Sequence, residues 1–340
     1  YVPFAAQAFE KALLQAQKAM TRCSTIKSGK AFSMDVCFNR RFWMKNGEVI
    51  TNPAKCSKDV VRPEGEIDPE IPLILLDNGT NKLLLASISN HADTTGGSNI
   101  SGDWPAWTAH ETEKVLGQNS MCMPLIGCSG NINHFDINNP GEQASPEEAE
   151  RIGCTYAASI EKALGNLQSE PLTLQAAALD FHIGSRELFP EELEEAMEIL
   201  KKYPPEDTAS SSTALTARDF AEKSPKVLRY FAENLLKVAE NKKEFDFEVS
   251  GCVLGNCAVI GLPAEPFVEI GLEIRKEIFA SCNQVLCSIM NNGSGSGYIP
   301  NLWNYRRGGY ENTPRSNPYS IHTATELKNI CRKLEELLNK

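Results

Sequence analysis

The sequence of 340 residues has no run of apolar residues that could cross a bilayer, since a spanning helix needs about 18 or more. It contains no CxxC pair, which argues against a structural zinc knuckle. Neither a GxSxG elbow nor the Lys-Ser/Thr ending of a P-loop occurs, so a serine hydrolase of that type and a P-loop nucleotide site are both poorly supported. Lys and Arg are not clustered and the formal net charge is -10, which argues against a nucleic-acid-binding surface.

The sequence also lacks the marks of an exported protein. No basic and apolar leader precedes the first helix-like segment, so no secretory signal is visible. Eleven cysteines are scattered along the chain without close pairs, and several lie in apolar runs such as 285–289. Free, buried thiols are expected rather than a disulfide framework, and this usage favours a reducing, cytoplasmic location.

Apolar patterns alternate between helical and extended spacing, and this predicts an α/β fold with mixed β-sheets layered with α-helices. The clearest helix start is Ser145-Pro146-Glu147-Glu148, which combines a cap, a proline at the first position and acids in the first turn. That helix is expected to run to about Leu167. A polar, small segment at 207–213 is predicted to be a surface loop.

Several apolar strands end in loops that are dense in small and polar residues. Since ligand sites of open α/β sheets gather outside the carboxyl ends of strands, the site is expected there. The loops cover residues 89–97, 127–134, 261–266 and 291–298.

His91 is one of only five histidines and ends an apolar strand. Its imidazole could ligate a metal while a second acceptor, for which Asp93 is a candidate, holds the other nitrogen. The alternative is a histidine that is simply hydrogen-bonded at a strand end. Glu265 opens a helix, where a carboxylate is also favoured by the helix dipole alone.

Tyr298 follows a Gly-rich loop and could be a phenolate ligand or an oxyanion donor. The Gly293–Gly297 run is interpreted as a place of flexibility or close backbone approach rather than as a phosphate cradle. Cys128 could be a nucleophile, but a buried thiol at a strand end is the favoured interpretation.

Together these loops resemble the catalytic domain of neutral/alkaline, non-lysosomal ceramidases and their short bacterial relatives. The likeness runs nearly from end to end. Its most specific stretches are Asn90–Thr94, Ile100–Pro105, Gly130–Asn133, Leu262–Phe267, and Tyr298 followed twelve residues later by Tyr310-Glu311.

The resemblance implies a catalytic zinc ion held by two histidines, a glutamate and a tyrosine. By motif position the second histidine is His91, the glutamate is Glu265 and the tyrosine is Tyr298. It further implies a role for Tyr310 near the scissile amide, and for Arg40 in orienting a polar head group or the developing oxyanion.

Two departures from the family pattern bear on function. The motif of the first histidine would precede Tyr1, so residues 1–340 are expected to form a single catalytic domain without its N-terminal segment, and without the C-terminal immunoglobulin-like domain of larger ceramidases. Asn133 stands where ceramidases have serine, and His134 follows in place of proline. Asn133 can orient a water or a substrate, but it cannot be a nucleophile.

The function implied is zinc-dependent hydrolysis of an amide bond in a ceramide-like or other N-acyl, lipid-like small molecule. The alternative is a relative that binds a ligand without turnover. Neither a nucleic acid nor a membrane span is expected, and the sequence does not indicate an oligomeric state.

Overall fold

The computed structural model describes residues 2–98, 100–205, 224–290, 296–305 and 307–339. The α-helices of this part of the chain are α1 Val2–Lys18, α2 Asp103–Leu116, α3 Pro146–Leu164, α4 Pro190–Lys202, α5 Pro225–Glu240, α6 Val268–Glu277 and α7 Thr323–Leu338. Two short 3₁₀ turns cover Leu302–Asn304 and Tyr310–Asn312. The predicted loop at 207–213 and most of the glycine run at 293–297 lie outside the described residues.

The strands are β1 Thr25–Phe32, β2 Phe38–Asn39, β3 Arg41–Met44, β4 Val49–Thr51, β5 Val60–Pro63, β6 Glu70–Asp77, β7 Lys82–Ile88 and β8 Ser120–Ile126. They continue with β9 Ile132–Asn133, β10 Gln168–Glu170, β11 Leu174–Gly184, β12 Glu244–Leu254, β13 Cys257–Gly261, β14 Glu265–Pro266, β15 Asn283–Cys287 and β16 Tyr298–Ile299.

Two larger sheets carry the fold. One has five strands in the order β10-β1-β6-β7-β8, and the other has four in the order β11-β12-β13-β15. Most neighbours are antiparallel, but β7 pairs with β8 in parallel, and so does β13 with β15. The sheets are therefore mixed, as the interleaved sequence patterns predicted.

The two sheets pack face to face, and the alternation of side chains along each strand shows it. Ile74 of β6 and Leu85 of β7 join Cys257 and Val285 of the other sheet in one apolar cluster. The chain neighbours of these residues point the opposite way, because successive side chains of a strand alternate between faces. Strands buried on both faces therefore read as unbroken apolar runs.

Helices cover both outer faces of this pair of sheets. Leu73 and Leu84 pack with Trp104 of α2 and with Ile152 of α3 in a second cluster. On the far side, β12 and β13 pack against α6 and α7 in a third cluster that includes Val249, Ile260, Ile274, Leu327 and Leu334. The order of layers is helix, sheet, sheet, helix, which confirms the predicted fold class.

Local sequence signals account for the start of α3. The Oγ of Ser145 accepts a hydrogen bond from the backbone N–H of Glu148 at 3.2 Å, and Pro146 occupies the first turn. The helix ends at Leu164, three residues before the predicted end at Leu167.

The first helix-like segment of the sequence is present as α1, although none of its residues is buried. All eleven cysteines are free thiols. Among the described residues, no helix combines the length and the apolar character needed to cross a membrane.

Gly153 permits the close packing of α2 on α3. A Cβ atom there would lie 2.4 Å from the Cβ of Trp107 and 2.7 Å from the backbone oxygen of Trp104. We expect Gly153→Ala to lower the free energy of unfolding by about 1–3 kcal/mol, because the helices would have to separate. Urea unfolding measures this value.

Gly165, at the end of the same helix, provides the matched control. Its φ is -68° and an added Cβ would meet no atom within 4 Å. Gly165→Ala should leave stability unchanged or raise it by up to about 1 kcal/mol. Equal losses for the two variants would contradict the packing explanation.

Candidate metal and catalytic site

The carboxyl ends of the parallel strands meet at one edge of the two packed sheets. Ser288, just after β15, donates its backbone N–H to the carbonyl of Ile126 at the end of β8, at 2.8 Å. Ser87 of β7 donates its Oγ–H to the carbonyl of Leu286 at 2.6 Å. The loops that follow β7, β8 and β13 therefore emerge side by side, where the strand-end argument expected the site.

His91 lies in the first of these loops, and both of its ring nitrogens have partners. Nδ1 is 2.9 Å from the carbonyl oxygen of Ile132, and Nε2 is 2.9 Å from Oε2 of Glu265. The carbonyl of His91 also accepts a hydrogen bond from the indole of Trp104 at 2.8 Å. The sequence suggested Asp93 as the second acceptor, but the carbonyl of Ile132 takes that place, because the loop after β8 passes directly beside the ring.

Glu265 and Tyr298 are brought together by a short parallel pair of strands. They are register partners in β14 and β16, and the N–H of Glu265 donates to the carbonyl of Gly297 at 2.9 Å. The ring of Tyr298 is stacked beside that of His91, with centroids 6.1 Å apart and an interplanar angle of 29°. The three residues predicted to bind metal thus converge from three separate segments of the chain.

The donor set of this cluster fits a cation. A carbonyl oxygen can only accept, so Nδ1 of His91 carries a proton, and in the neutral ring Nε2 then presents a lone pair to the carboxylate of Glu265. Two acceptors 2.9 Å apart need a positive centre between them, either a second proton on the ring or a metal ion. Imidazole and carboxylate are ligands that zinc accepts, and the phenol of Tyr298 adds a further oxygen beside them.

Within the described ranges, no three His, Cys, Asp or Glu side chains converge as a metal site. Here His91 and Glu265 could supply two such ligands, and the phenol oxygen of Tyr298 could supply a third donor.

Tyr298 is protonated at neutral pH in this environment. Burial, opposed by the cation of Arg40 and reinforced by the carboxylate of Glu265, raises the pKa of Tyr298 to about 12. A metal ion beside the phenol would favour its ionised form, since bound cations lower the pKa of their ligands.

Arg40 is buried against the ring of Tyr298 and is almost completely shielded from solvent. Its Cζ lies 5.2 Å from the centre of the tyrosine ring, and Nη2 donates to the carbonyl of Gly130 at 2.8 Å. Nε lies 2.7 Å from Oε1 of Glu311, and only 6% of the side chain is exposed. Arg40 is therefore part of the site, but the structure places its charge behind the tyrosine.

Tyr310 forms the outer wall of the cluster. Tyr310 is 42% exposed, and its ring meets that of Tyr298 edge to face, with centroids 6.0 Å apart. The backbone N–H of Tyr310 donates to Oγ1 of Thr51 at 2.9 Å, which fixes the start of the 3₁₀ turn. The phenol can thus meet a ligand that approaches the metal-binding residues from solvent.

Asn133 is buried in the loop that carries Ile132. Its Oδ1 accepts from the N–H of Phe135 at 3.1 Å, and its Nδ2 lies 3.4 Å from Oδ1 of Asn52. Both ends of the amide are engaged in shaping the loop, so its contacts in this structure are with protein groups.

The structure also shows a contact between His134 and Asp93 that the sequence did not predict. His134 is buried, and its Nε2 donates to the carbonyl of Gln143 at 2.6 Å while Nδ1 lies 3.1 Å from Oδ1 of Asp93. Because an ionised carboxylate only accepts, both ring nitrogens carry protons. The departure from the family pattern at His134 was the only available sign, and it did not identify the partner.

Cys128 does not provide a nucleophile. The thiol is fully buried, and this burial raises its pKa far above the ordinary value of 9.0, so the reactive thiolate is not populated at neutral pH. This agrees with the interpretation as a structural thiol.

The pair of His134 and Asp93 makes stability depend on pH. Burial alone would lower the pKa of His134, but the hydrogen bond and the charge of Asp93 outweigh it and raise the pKa above 6.5. A group whose pKa is raised in the folded state contributes its full stabilisation at pH values below its pKa in the unfolded state. It loses this contribution as the pH rises through its pKa in the folded state.

We therefore expect His134→Gln to lower the free energy of unfolding by about 1–2 kcal/mol near pH 5.5 and by less near pH 9. Urea titrations of both proteins at the two pH values measure the difference. A difference that grows with pH would contradict the assignment.

Comparisons with known proteins support the fold. No family model matches the chain, and a search of the curated proteins finds no match. Among solved structures, a neutral ceramidase from Pseudomonas aeruginosa matches with a TM-score of 0.62 at 15% identity, covering 96% of this chain and 54% of that one. A ceramidase complexed with C2 matches with a TM-score of 0.60 at 14% identity, over 93% of this chain and 53% of that one. The chain thus spans about half the length of the structures that it matches, and with them it shares a ceramidase-like fold.

Proposed function

We propose that this protein is a zinc-dependent hydrolase that cleaves the amide bond of a ceramide-like or other N-acyl substrate. The observation that carries the proposal is the apposition of Nε2 of His91 and Oε2 of Glu265 at 2.9 Å, beside the phenol of Tyr298. A fold shared with ceramidases supports the same reading.

His91, Glu265 and Tyr298 would hold the metal. The carbonyl of Ile132 holds Nδ1 of His91, so that Nε2 faces Glu265 and could ligate a metal between them, as the hydrogen-bond partners of metal-binding histidines do. Bound zinc would supply an activated water and a polarised amide carbonyl. The resemblance to ceramidases implies one more histidine, which is not among the residues that converge here.

Tyr310 is the proposed donor to the developing oxyanion. It is the exposed member of the cluster, and its ring lies against Tyr298. A phenol that donates to charge formed in the transition state lowers the barrier more than it strengthens substrate binding. Arg40 is buried and acts through its contact with Tyr298. Asn133 shapes the loop that orients His91.

A relative that binds an N-acyl ligand without turnover is the second candidate. It is favoured by Asn133, which stands where ceramidases have serine and whose amide is taken up by Asn52 and Phe135. Both candidates bind zinc and an acyl ligand, and only the first releases a free amine.

The metal assignment predicts a loss of zinc on substitution of Glu265. We expect Glu265→Ala to weaken zinc affinity at least about tenfold, because it removes an anionic ligand. Zinc content after dialysis and titration calorimetry measure this on the full-length protein.

Glu273→Ala is the matched control, since this carboxylate pairs with Lys328 away from the cluster. Unchanged zinc stoichiometry in Glu265→Ala would contradict the assignment of Glu265 as a ligand. Equal losses of bound zinc in both variants would indicate a general loss of folding.

The catalytic assignment predicts a selective effect at Tyr310. With a series of N-acyl substrates of different chain lengths, Tyr310→Phe should lower kcat about 10²-fold with little change in KM. Release of free amine is the assay. Tyr203→Phe, at the end of α4, should leave kcat unchanged. Zinc binding without amine release from any substrate would favour the ligand-binding candidate.

A further inference from the structure

Glu311 is a fully buried carboxylate that the proposed chemistry does not use. Its Oε1 lies 2.7 Å from Nε of Arg40. Its Oε2 accepts from Nη1 of Arg41 and from Oγ1 of Thr51, both at 2.7 Å. Glu311 therefore joins three separate segments of the chain at one point behind the site.

A buried ionic cluster of this kind holds loops together only at a cost in free energy. Removing charges from water costs free energy, and apolar side chains of similar volume often stabilise a fold equally well. What a cluster of this kind adds is a defined geometry, since each oxygen has a fixed partner. A position beside a set of metal ligands is where such a geometry has a use.

Through Arg40, Glu311 is connected to the proposed metal-binding residues. Arg40 is held by Glu311 at Nε and by the carbonyl of Gly130 at Nη2, and its guanidinium lies 5.2 Å from the centre of the Tyr298 ring. Only 6% of the Arg40 side chain is exposed, so it reaches a ligand through Tyr298 and not directly.

Through Thr51, Glu311 is also connected to Tyr310. Oγ1 of Thr51 donates to Glu311 and accepts from the backbone N–H of Tyr310 at 2.9 Å. The carboxylate thus sits behind both tyrosines of the site, which themselves meet edge to face.

We propose that Glu311 is a positioning residue of the metal site: it holds Arg40 against Tyr298 and so keeps the phenol beside His91 and Glu265. The inference rests on the proposed function, because it treats Tyr298 as a zinc ligand. Glu311 itself touches neither metal nor substrate. Its loss should act on zinc affinity through the freedom of Arg40 and Tyr298.

The same cluster offers a matched control in Glu64. This carboxylate is also buried, and its Oε2 lies 2.5 Å from Nε of Arg41. The guanidinium of Arg41 lies 5.3 Å from the ring of Phe267, whereas that of Arg40 lies against Tyr298, and Nη2 of Arg41 donates to the carbonyl of Gly308 at 2.9 Å. Glu64→Gln and Glu311→Gln each remove one buried negative charge, but only the second unbalances Arg40.

The experiment compares zinc affinity and thermal stability of the two variants in the full protein. Both should lower Tm, whereas Glu311→Gln alone should weaken zinc affinity by about tenfold or more, the range seen for partners of metal ligands. Titration calorimetry with zinc chloride measures the affinity. Glu311→Asp, which keeps the charge, should recover part of the loss.

A double variant keeps the test valid if Glu311→Gln alone does not fold. Arg40→Met with Glu311→Gln removes one charge of each sign and leaves Arg41 paired with Glu64. It should fold and still bind zinc at least about tenfold more weakly than the unaltered protein.

The outcomes separate the two proposals. Wild-type zinc affinity in Glu311→Gln or in the double variant, or an equal loss in Glu64→Gln, would overturn the role of Glu311 and leave the metal site standing. Absence of zinc binding by the unaltered protein would overturn the proposed function and this inference together.

Discussion

The site depends on the face-to-face packing of two mixed sheets whose parallel strands end at the same edge. Val285 and Cys257 on one sheet meet Ile74 and Leu85 on the other, and hydrogen bonds such as that from Ser288 to Ile126 align the strand ends. Because this interface is apolar and closely packed, it resists sliding. The segments that follow β7, β8, β13 and β15 therefore lie side by side, and His91, Glu265 and Tyr298 meet although they are far apart in sequence.

Around this meeting point the charges are arranged in two layers. In the inner layer, Nε2 of His91 faces the carboxylate of Glu265, and the protonated phenol of Tyr298 lies beside them. Behind it, Arg40 and Arg41 are balanced by Glu311 and Glu64. Burial opposes ionisation of Glu311, but the two guanidinium groups outweigh it and lower its pKa, so the carboxylate stays charged in the interior. The balance lets a buried charged cluster support the site without leaving an unpaired ion.

Much of the architecture could be predicted from local patterns. The N-cap at Ser145 and the apolar runs of β6, β7 and β13 correspond to α3 and to the strands, because caps and side-chain alternation are local properties. The candidate metal residues were recognised from their position after strands and from a family resemblance. Asp93 was one candidate for the second acceptor of His91, but it contacts His134, and the acceptor for His91 is a backbone carbonyl that no residue pattern could identify.

The sequence by itself determined the alternating elements, the free thiols and the identity of the residues that end the strands, since each follows from residue type and short-range spacing. Only the tertiary structure decided that Nε2 of His91 faces Glu265, that Arg40 turns toward Tyr298, and that Glu311 joins both arginines. These contacts span up to 271 positions along the chain, between Arg40 and Glu311 (311 − 40). Their geometry is set by how two sheets pack, which is a property of the whole core and not of any single segment.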